Sequence, residues 1–406
     1  MSLWKSSCSV RIKSHTMKGY FDYNATTPLH PAAKEAWLLA SERFWYNASS
    51  LYREAATVKR RLEDARGRLA EQLGCEPERI VFTSGATESN NALFRVLSQR
   101  AGNAANVVSS GVEHPSVREP LQKEFAGRVR LIRTLPDSSL DEDDFAEAIQ
   151  TANVALVSVI AANNECGTLL PWQKLAALSR EKGIPFHTDA TQWIGKMSAR
   201  ELDVCDYVTG SAHKFGGPKG IGFLVMRTED EALSFLRGGP QEEGRRAGTE
   251  NYPAIEAMVT ALEAVTSTLP NVSEAQAKQR DVFTAKMEDV LEGTRVIGAS
   301  TARLWNTVML VLPRHDNRKW LARLSDRGFA ISTGSACSAG HDGSSVVLQA
   351  LGASFEEMRR VVRVSGGWET SAEDWSVLAE AFAEVATELD SPPARPVRRN
   401  LPHLKF

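Results

Sequence analysis

No run of the sequence is both apolar and long enough to cross a bilayer. The opening stretch MSLWKSSCSVRIKSHT is basic and polar, and it lacks the apolar middle of a secretory signal. Cysteine is scarce. The five residues Cys8, Cys75, Cys166, Cys205 and Cys337 are odd in number, and none stands in C-x-x-C spacing. That argues against a disulfide framework and against a zinc site. Reduced thiols in a cytoplasmic enzyme without a metal are the simpler reading. An excess of one charge is also missing: 48 Lys+Arg stand against 50 Asp+Glu, a net charge of −2. Nothing in that total favours a polyanion, so neither direct nucleic-acid binding nor a membrane is expected.

What is present suffices for a large core. The chain has 406 residues, 42% of them hydrophobic, which suggests two or three domains. Residues 1–16 read as an N-terminal extension, disordered and preceding Met17. Between about 54 and 265, helical patterns alternate with short apolar runs. Val58, Leu62, Ala65, Leu69 and Leu73 recur at helical spacing, and Gly74 follows as a stop. RIVFT, NVVSS, VRLIRT, VALVSVI, IPFHT, YVTGS and GIGFLVM read as strands. Strands separated by helices imply a mixed, mostly parallel sheet covered on both faces, an α/β fold. Ligands of such sheets bind beyond the carboxyl ends of the strands.

The spacing places a large domain at 17–267, whose first residues pack on its neighbour, and a smaller α+β domain at 268–390. The segment AIEAMVTALEAVTSTL is read as one helical stretch and SEAQAKQRDVFTAKMEDVLEG as the next. The tail 391–406 is rich in Pro and Arg and reads as disordered or loosely docked.

Three segments carry chemistry in a fixed order. TSGATES, with Gly85, Ala86 and Thr87, closes a turn at a helix start, where free N–H groups and the helix dipole bind an anion. HTDATQ puts Asp189 at a strand end, where a carboxylate can hold a protonated ring nitrogen. SAHKFGGPKG sets Lys214 after a strand and before glycines, where a lysine can form an imine with an aldehyde. Each alone also fits a plainer role. Ser84 or Thr87 would serve as an N-cap, Asp189 as a turn residue, and Lys214 as a loop lysine.

Together with NATTP, EHPS, NNECG, GRRAGTEN and TGSACS, these segments resemble the cysteine desulfurases of the class V aminotransferase superfamily. The resemblance runs from about residue 20 to 367. It implies a pyridoxal-phosphate transferase of fold type I. It also implies that L-cysteine is converted to L-alanine and that the sulfur is held as a persulfide on Cys337. The loop around Cys337 is similar to the long-loop group with a GSAC motif. A related activity on the same fold, selenocysteine lyase or aminotransferase on a small amino acid, is the alternative, and a non-catalytic cofactor-binding scaffold is the most distant.

By position the resemblance gives Ala86, Thr87, Ser211 and His213 to the cofactor phosphate. His114 stacks on the ring and counts as catalytic with Lys214 and Cys337, Asn164 lies near the ring hydroxyl and the substrate, Asp189 partners the ring nitrogen, and Gln192 partners the ring oxygen. Lys214 carries pyridoxal 5'-phosphate. Thr249 reaches the phosphate of a neighbouring subunit, which implies a homodimer. Arg363 clamps the substrate carboxylate, a task that suits a bidentate guanidinium; it would equally pair with a structural carboxylate. A sulfur-acceptor protein is the implied partner, with iron–sulfur clusters, tRNA, DNA and cofactors all open as destinations. The sequence departs from the family pattern at Ala48, Tyr52, Cys166 and Trp368.

Overall fold

The computed structural model describes residues 19–230, 233–334 and 345–391. Cys337, segment 1–16 and all but the first residue of the tail 391–406 lie outside the described residues. The chain opens with β1 (Gly19–Tyr20), α1 (Pro31–Arg43) and α2 (Arg53–Leu73). An alternating series follows: β2 (Ile80–Thr83), α3 (Ala86–Ala101), β3 (Asn106–Ser110), α4 (Pro115–Glu124), β4 (Val129–Ile132), α5 (Glu142–Ala148), β5 (Val154–Ser158), α6 (Trp172–Glu181), β6 (Phe186–Asp189), β7 (Tyr207–Ser211) and β8 (Gly222–Val225).

All seven predicted strands enter one sheet of order β2-β8-β7-β6-β5-β3-β4. Its pairs are parallel except those of β8, which runs antiparallel to both neighbours. Consecutive strand residues point to opposite faces. Val81, Val107, Leu156, Tyr207 and Leu224 pack on one side with Phe94 of α3 and Leu121 of α4. Phe82, Val108, Val157, Val208 and Phe223 pack on the other with Leu62 of α2, Leu175 of α6 and Met258. Because both faces are buried, these strands read as continuous apolar runs rather than alternating ones.

The helix α7 (Tyr252–Val290) leads into β9 (Arg295–Val296), β10 (Thr307–Val311), α8 (Asn317–Asp326), β11 (Phe329–Ala330), α9 (Val346–Ala350), α10 (Phe355–Met358), β12 (Val361–Ser365) and α11 (Ala372–Asp390). The sequence suggested two successive helical stretches where α7 runs unbroken for 39 residues, with Pro270 inside it. Proline removes one backbone hydrogen bond and crowds the carbonyl four residues back. That carbonyl belongs to Thr266, on an exposed stretch of the helix where water can take it. The N-terminal part of α7 lies in the core under the large sheet, whereas Phe283 and Met287 lie in a separate core with Trp320, Trp375 and Phe382. The antiparallel sheet β12-β10-β9 covers that second core. Phe21 joins it as well, and β1 pairs with β11, so the first described residues pack on the C-terminal part of the chain.

Candidate active site

The parallel strands β5, β6 and β7 end side by side. A cavity of about 540 Å³ opens beyond them, lined among others by His114, Asn164, Asp189, Gln192, Lys214 and Arg363. Ala86, Thr87, Ser211 and His213 line it too. Ten of the eleven sequence-predicted residues within the described structure therefore share one cavity. The eleventh, Thr249, lines an adjacent cavity of about 220 Å³, which shares Ser84 and Gly220 with the first.

At one end, α3 begins at Gly85 with no side-chain cap, so neither Ser84 nor Thr87 takes the capping role. Gly85 has φ +147°, a region that favours glycine. A Cβ on Gly222 would come within 2.4 Å of the Gly210 carbonyl oxygen and 2.6 Å of the Gly85 Cα. The absence of that side chain lets the helix start sit directly against the sheet. An uncapped helix N-terminus facing Ser211 and His213 suits an anion.

At the other end, Asp189 closes β6, buried to 2% exposure. Its Oδ1 accepts the Thr191 N–H at 3.0 Å and its Oδ2 accepts the Asn90 amide at 3.2 Å. It thus fills the turn role with one oxygen while the other is held by Asn90. Gln192 donates to the Asn24 carbonyl at 2.9 Å and accepts from the fully buried Lys196 at 3.0 Å. Lys214 Nζ donates to the Asn24 and Ala25 carbonyls, each at 2.7 Å. His213 Nδ1 lies 3.1 Å from the Thr26 hydroxyl. The NATT segment, recognised in the sequence only as a motif, is therefore a wall of the site.

Cation density shapes the electrostatics. Burial pushes Lys196 down to about 7, helped by the nearby charges of Lys214 and Arg363. Burial likewise pushes His213 down to about 4, with Lys214, Lys219 and Lys196 adding to the effect. Such a pocket resists further positive charge and favours an anionic ligand.

Arg363 stands on β12, 2% exposed. One terminal nitrogen donates to the carbonyls of Asn164 at 2.9 Å and Gly334 at 3.1 Å; the other reaches Asp22 at 2.6 Å. Its Nε is buried with no hydrogen-bond partner among the described residues. The structural carboxylate foreseen as an alternative partner exists, and Arg363 lines the cavity as well.

The described cysteines point away from reactivity. Cys166 is 1% exposed and packs with Ile297, Met309 and Leu348 rather than lining the cavity. Its sulfur sits 3.2 Å from the Thr168 hydroxyl, and burial raises its pKa. Burial also raises Cys75, to about 11, and Cys205. Among the other departures, Trp368 packs edge-on to Tyr23 and Tyr52 edge-on to Tyr46; neither lines the cavity.

Residues 19–378 match the Aminotransferase class-V family model. The chain is 32% identical to the cysteine desulfurase IscS of Dictyoglomus turgidum, over 91% of this chain and 95% of that one. The chain belongs to the class-V aminotransferases, in their cysteine desulfurase family. Among solved structures, a NifS-like protein superposes with a TM-score of 0.85 at 26% identity, covering 92% of this chain and all of that one. SspA in complex with cysteine superposes at 0.74 and 30% identity, covering 86% of this chain and 98% of the other. The fold is that of the pyridoxal-phosphate transferases of type I, and the chain is an enzyme.

Three residues of the site escaped the sequence reading. Asn24 joins Lys214, Gln192 and the Asn164 carbonyl. Asn90 and Ser116 link Asp189 to His114. For Asn24 and Ser116 a signal was available, since both fall inside motifs quoted for the family. For Asn90 there was none, because it is one of two adjacent asparagines on a helix.

Proposed function

We propose that this enzyme releases sulfur from L-cysteine, leaves L-alanine, and holds the sulfur as a persulfide on Cys337 before passing it to an acceptor protein. The observation that carries the reading is the convergence of Lys214, Asp189, His114 and Arg363 on one cavity with an uncapped helix start at its end. These residues fit pyridoxal 5'-phosphate. The N-terminus of α3, with Ala86, Thr87, Ser211 and His213, suits its phosphate, and the buried Asp189 suits its ring nitrogen. Gln192 suits the ring oxygen, His114 the ring face, and Lys214 the aldehyde. When bound, the cofactor supplies an electron sink for bonds at the amino-acid α-carbon.

The protein's own groups do the rest. Arg363, which lines the cavity beside Asn164, binds the substrate carboxylate. Lys214 is the group suited to move a proton at the α-carbon. The Cys337 thiolate then attacks the substrate sulfur. A sulfur–sulfur bond forms as the carbon–sulfur bond breaks, the electron pair returns to the carbon fragment, and a proton completes alanine. Burial of the three described thiols leaves none of them suited to this attack. The GSAC setting of Cys337 supports the long-loop group.

The reading also includes a homodimer. Trp45, Leu51 and Tyr52 follow α1 with exposures of 66%, 103% and 48%. Trp45 stacks on Tyr46, which meets Tyr52, so part of this apolar surface is contiguous. Such a face suits burial by a second copy, and Thr249 would then reach that copy's phosphate site. Sedimentation should find a dimer at working concentration; a monomer there would contradict this part.

Borohydride reduction followed by peptide mapping tests the cofactor assignment. The reduced cofactor should sit on the peptide containing Lys214. Lys219 also lines the cavity, so finding the label there, or finding none after reconstitution, would overturn it.

A further inference from the structure

Asn90 and Ser116 join His114 to Asp189 in one chain of hydrogen bonds whose direction can be read. An ionised carboxylate only accepts, so the Asn90 NH2 must face Asp189 Oδ2, 3.2 Å away. The same nitrogen donates to the Ser116 hydroxyl at 3.0 Å. That hydroxyl, accepting there, keeps its own hydrogen free for His114 Nδ1, 2.8 Å away. A second donor meets the same nitrogen: the Ser116 backbone N–H, at 3.1 Å, which makes His114 the N-cap of α4. A backbone N–H cannot reverse its role. Nδ1 therefore presents its lone pair, and the proton of the neutral ring sits on Nε2.

We infer that Ser116 and Asn90 are positioning residues that lock His114 as a neutral imidazole protonated on Nε2, a hydrogen-bond donor to the cavity with no basic nitrogen left to offer it. The same arrangement occurs at α1, where His30 precedes Pro31 and its Nδ1 accepts the Ala32 N–H at 3.3 Å. His30 does not line the cavity. The cap is thus a local property of these His-Pro helix starts, used once for structure alone and once beside the chemistry. Taking up a proton at Nδ1 would break the bond from the Ser116 backbone N–H, reverse the bond to the hydroxyl and end the cap. The charged groups facing His114 act in both directions. Burial lowers its pKa below the ordinary imidazole value, Asp189 on β6 opposes this, and Lys214 after β7 and Arg118 on α4 reinforce it. On the reading of the cavity as a cofactor and amino-acid site, the proton of the substrate α-carbon then falls to Lys214, with His114 restricted to donating.

The tautomer itself does not depend on that reading and can be measured with or without cofactor. Protein labelled with 15N in histidine, with the His114 signals assigned by their loss in His114→Gln, reports which nitrogen carries the proton. The expected result is a neutral ring protonated on Nε2 at pH 7, with the ionisation midpoint below the ordinary imidazole value. Ser116→Ala removes one of the two donors to Nδ1. It should keep the tautomer but raise the His114 ionisation midpoint by roughly 0.4–1 pH unit, the equivalent of one hydrogen bond. A proton on Nδ1, or a cationic ring at pH 7 in the unmodified protein, would overturn the inference whether or not the variant folds. An unchanged midpoint in a folded Ser116→Ala protein would overturn the part assigned to the hydroxyl. Correct tautomer with no cofactor on Lys214 would instead fault the cofactor reading alone.

Discussion

Replacing Cys337 with alanine should lower sulfide release by on the order of 10⁴-fold or more, the scale on which removing a covalent nucleophile acts. Cofactor binding should survive, because the contacts that suit the cofactor come from residues 86–214 and from Thr249 of a second copy, and none from Cys337. Cysteine should still perturb the cofactor spectrum, since Arg363 and Lys214 remain to receive it. The other thiols should not substitute. Cys166 faces Ile297 and Met309 in a packed cluster. Cys205 is buried, and Cys75 is mostly so, with its thiol pushed up to about 11. A thiol at that value carries almost no thiolate near neutral pH. Cys166→Ala, Cys75→Ala and Cys205→Ala should therefore keep most of the activity, apart from the modest stability cost of losing a buried group. Assaying sulfide and alanine together on the four variants checks this, and full release by Cys337→Ala would contradict it.

Arg363→Lys should weaken cysteine binding roughly tenfold to a hundredfold, the equivalent of about 1.5–3 kcal/mol for a lost charge-assisted hydrogen bond. The reason lies in the number of tasks the guanidinium performs. It spans the Asn164 and Gly334 carbonyls on one nitrogen and Asp22 on the other while lining the cavity. A lysine has three donors on one point and cannot reach separated acceptors and a ligand together. The loss should fall on cysteine titration of the cofactor spectrum and spare cofactor retention. A cysteine titration like that of the unmodified protein would refute the role.

Much of the fold was legible because its signals are local. Most of the seven large-sheet strands are short, largely apolar runs between turn residues, and burial on both faces makes such runs conspicuous; β4, at the sheet edge, is the exposed exception. The continuity of α7 was not legible. Pro270 is a breaker in every local rule, and only its exposed position in the fold makes the lost hydrogen bond tolerable. The pairing of β1 with β11 was not legible either, because the two strands are two residues each and meet only across the length of the chain.

The candidate site divides in the same way. Lys214, Asp189 and the TSGATES turn announced themselves by residue type at strand ends and a helix start. Asn90 did not, because it and the adjacent Asn91 are alike in sequence, and only the fold buries the first and exposes the second. The structural partner of Arg363 could not be named from the sequence, since Asp22 lies some 340 residues away and meets it through the pairing of the chain's beginning with its end.

One measurement bears most directly on the proposed function. The purified enzyme, reduced and then mixed with a single equivalent of L-cysteine, is quenched, alkylated without reductant and digested. Mass spectrometry then locates the added sulfur. The account predicts one extra sulfur on the peptide containing Cys337, with alanine formed in equal amount. Sulfur found on the Cys166 peptide, or alanine formed with no protein-bound sulfur on any peptide, would contradict it.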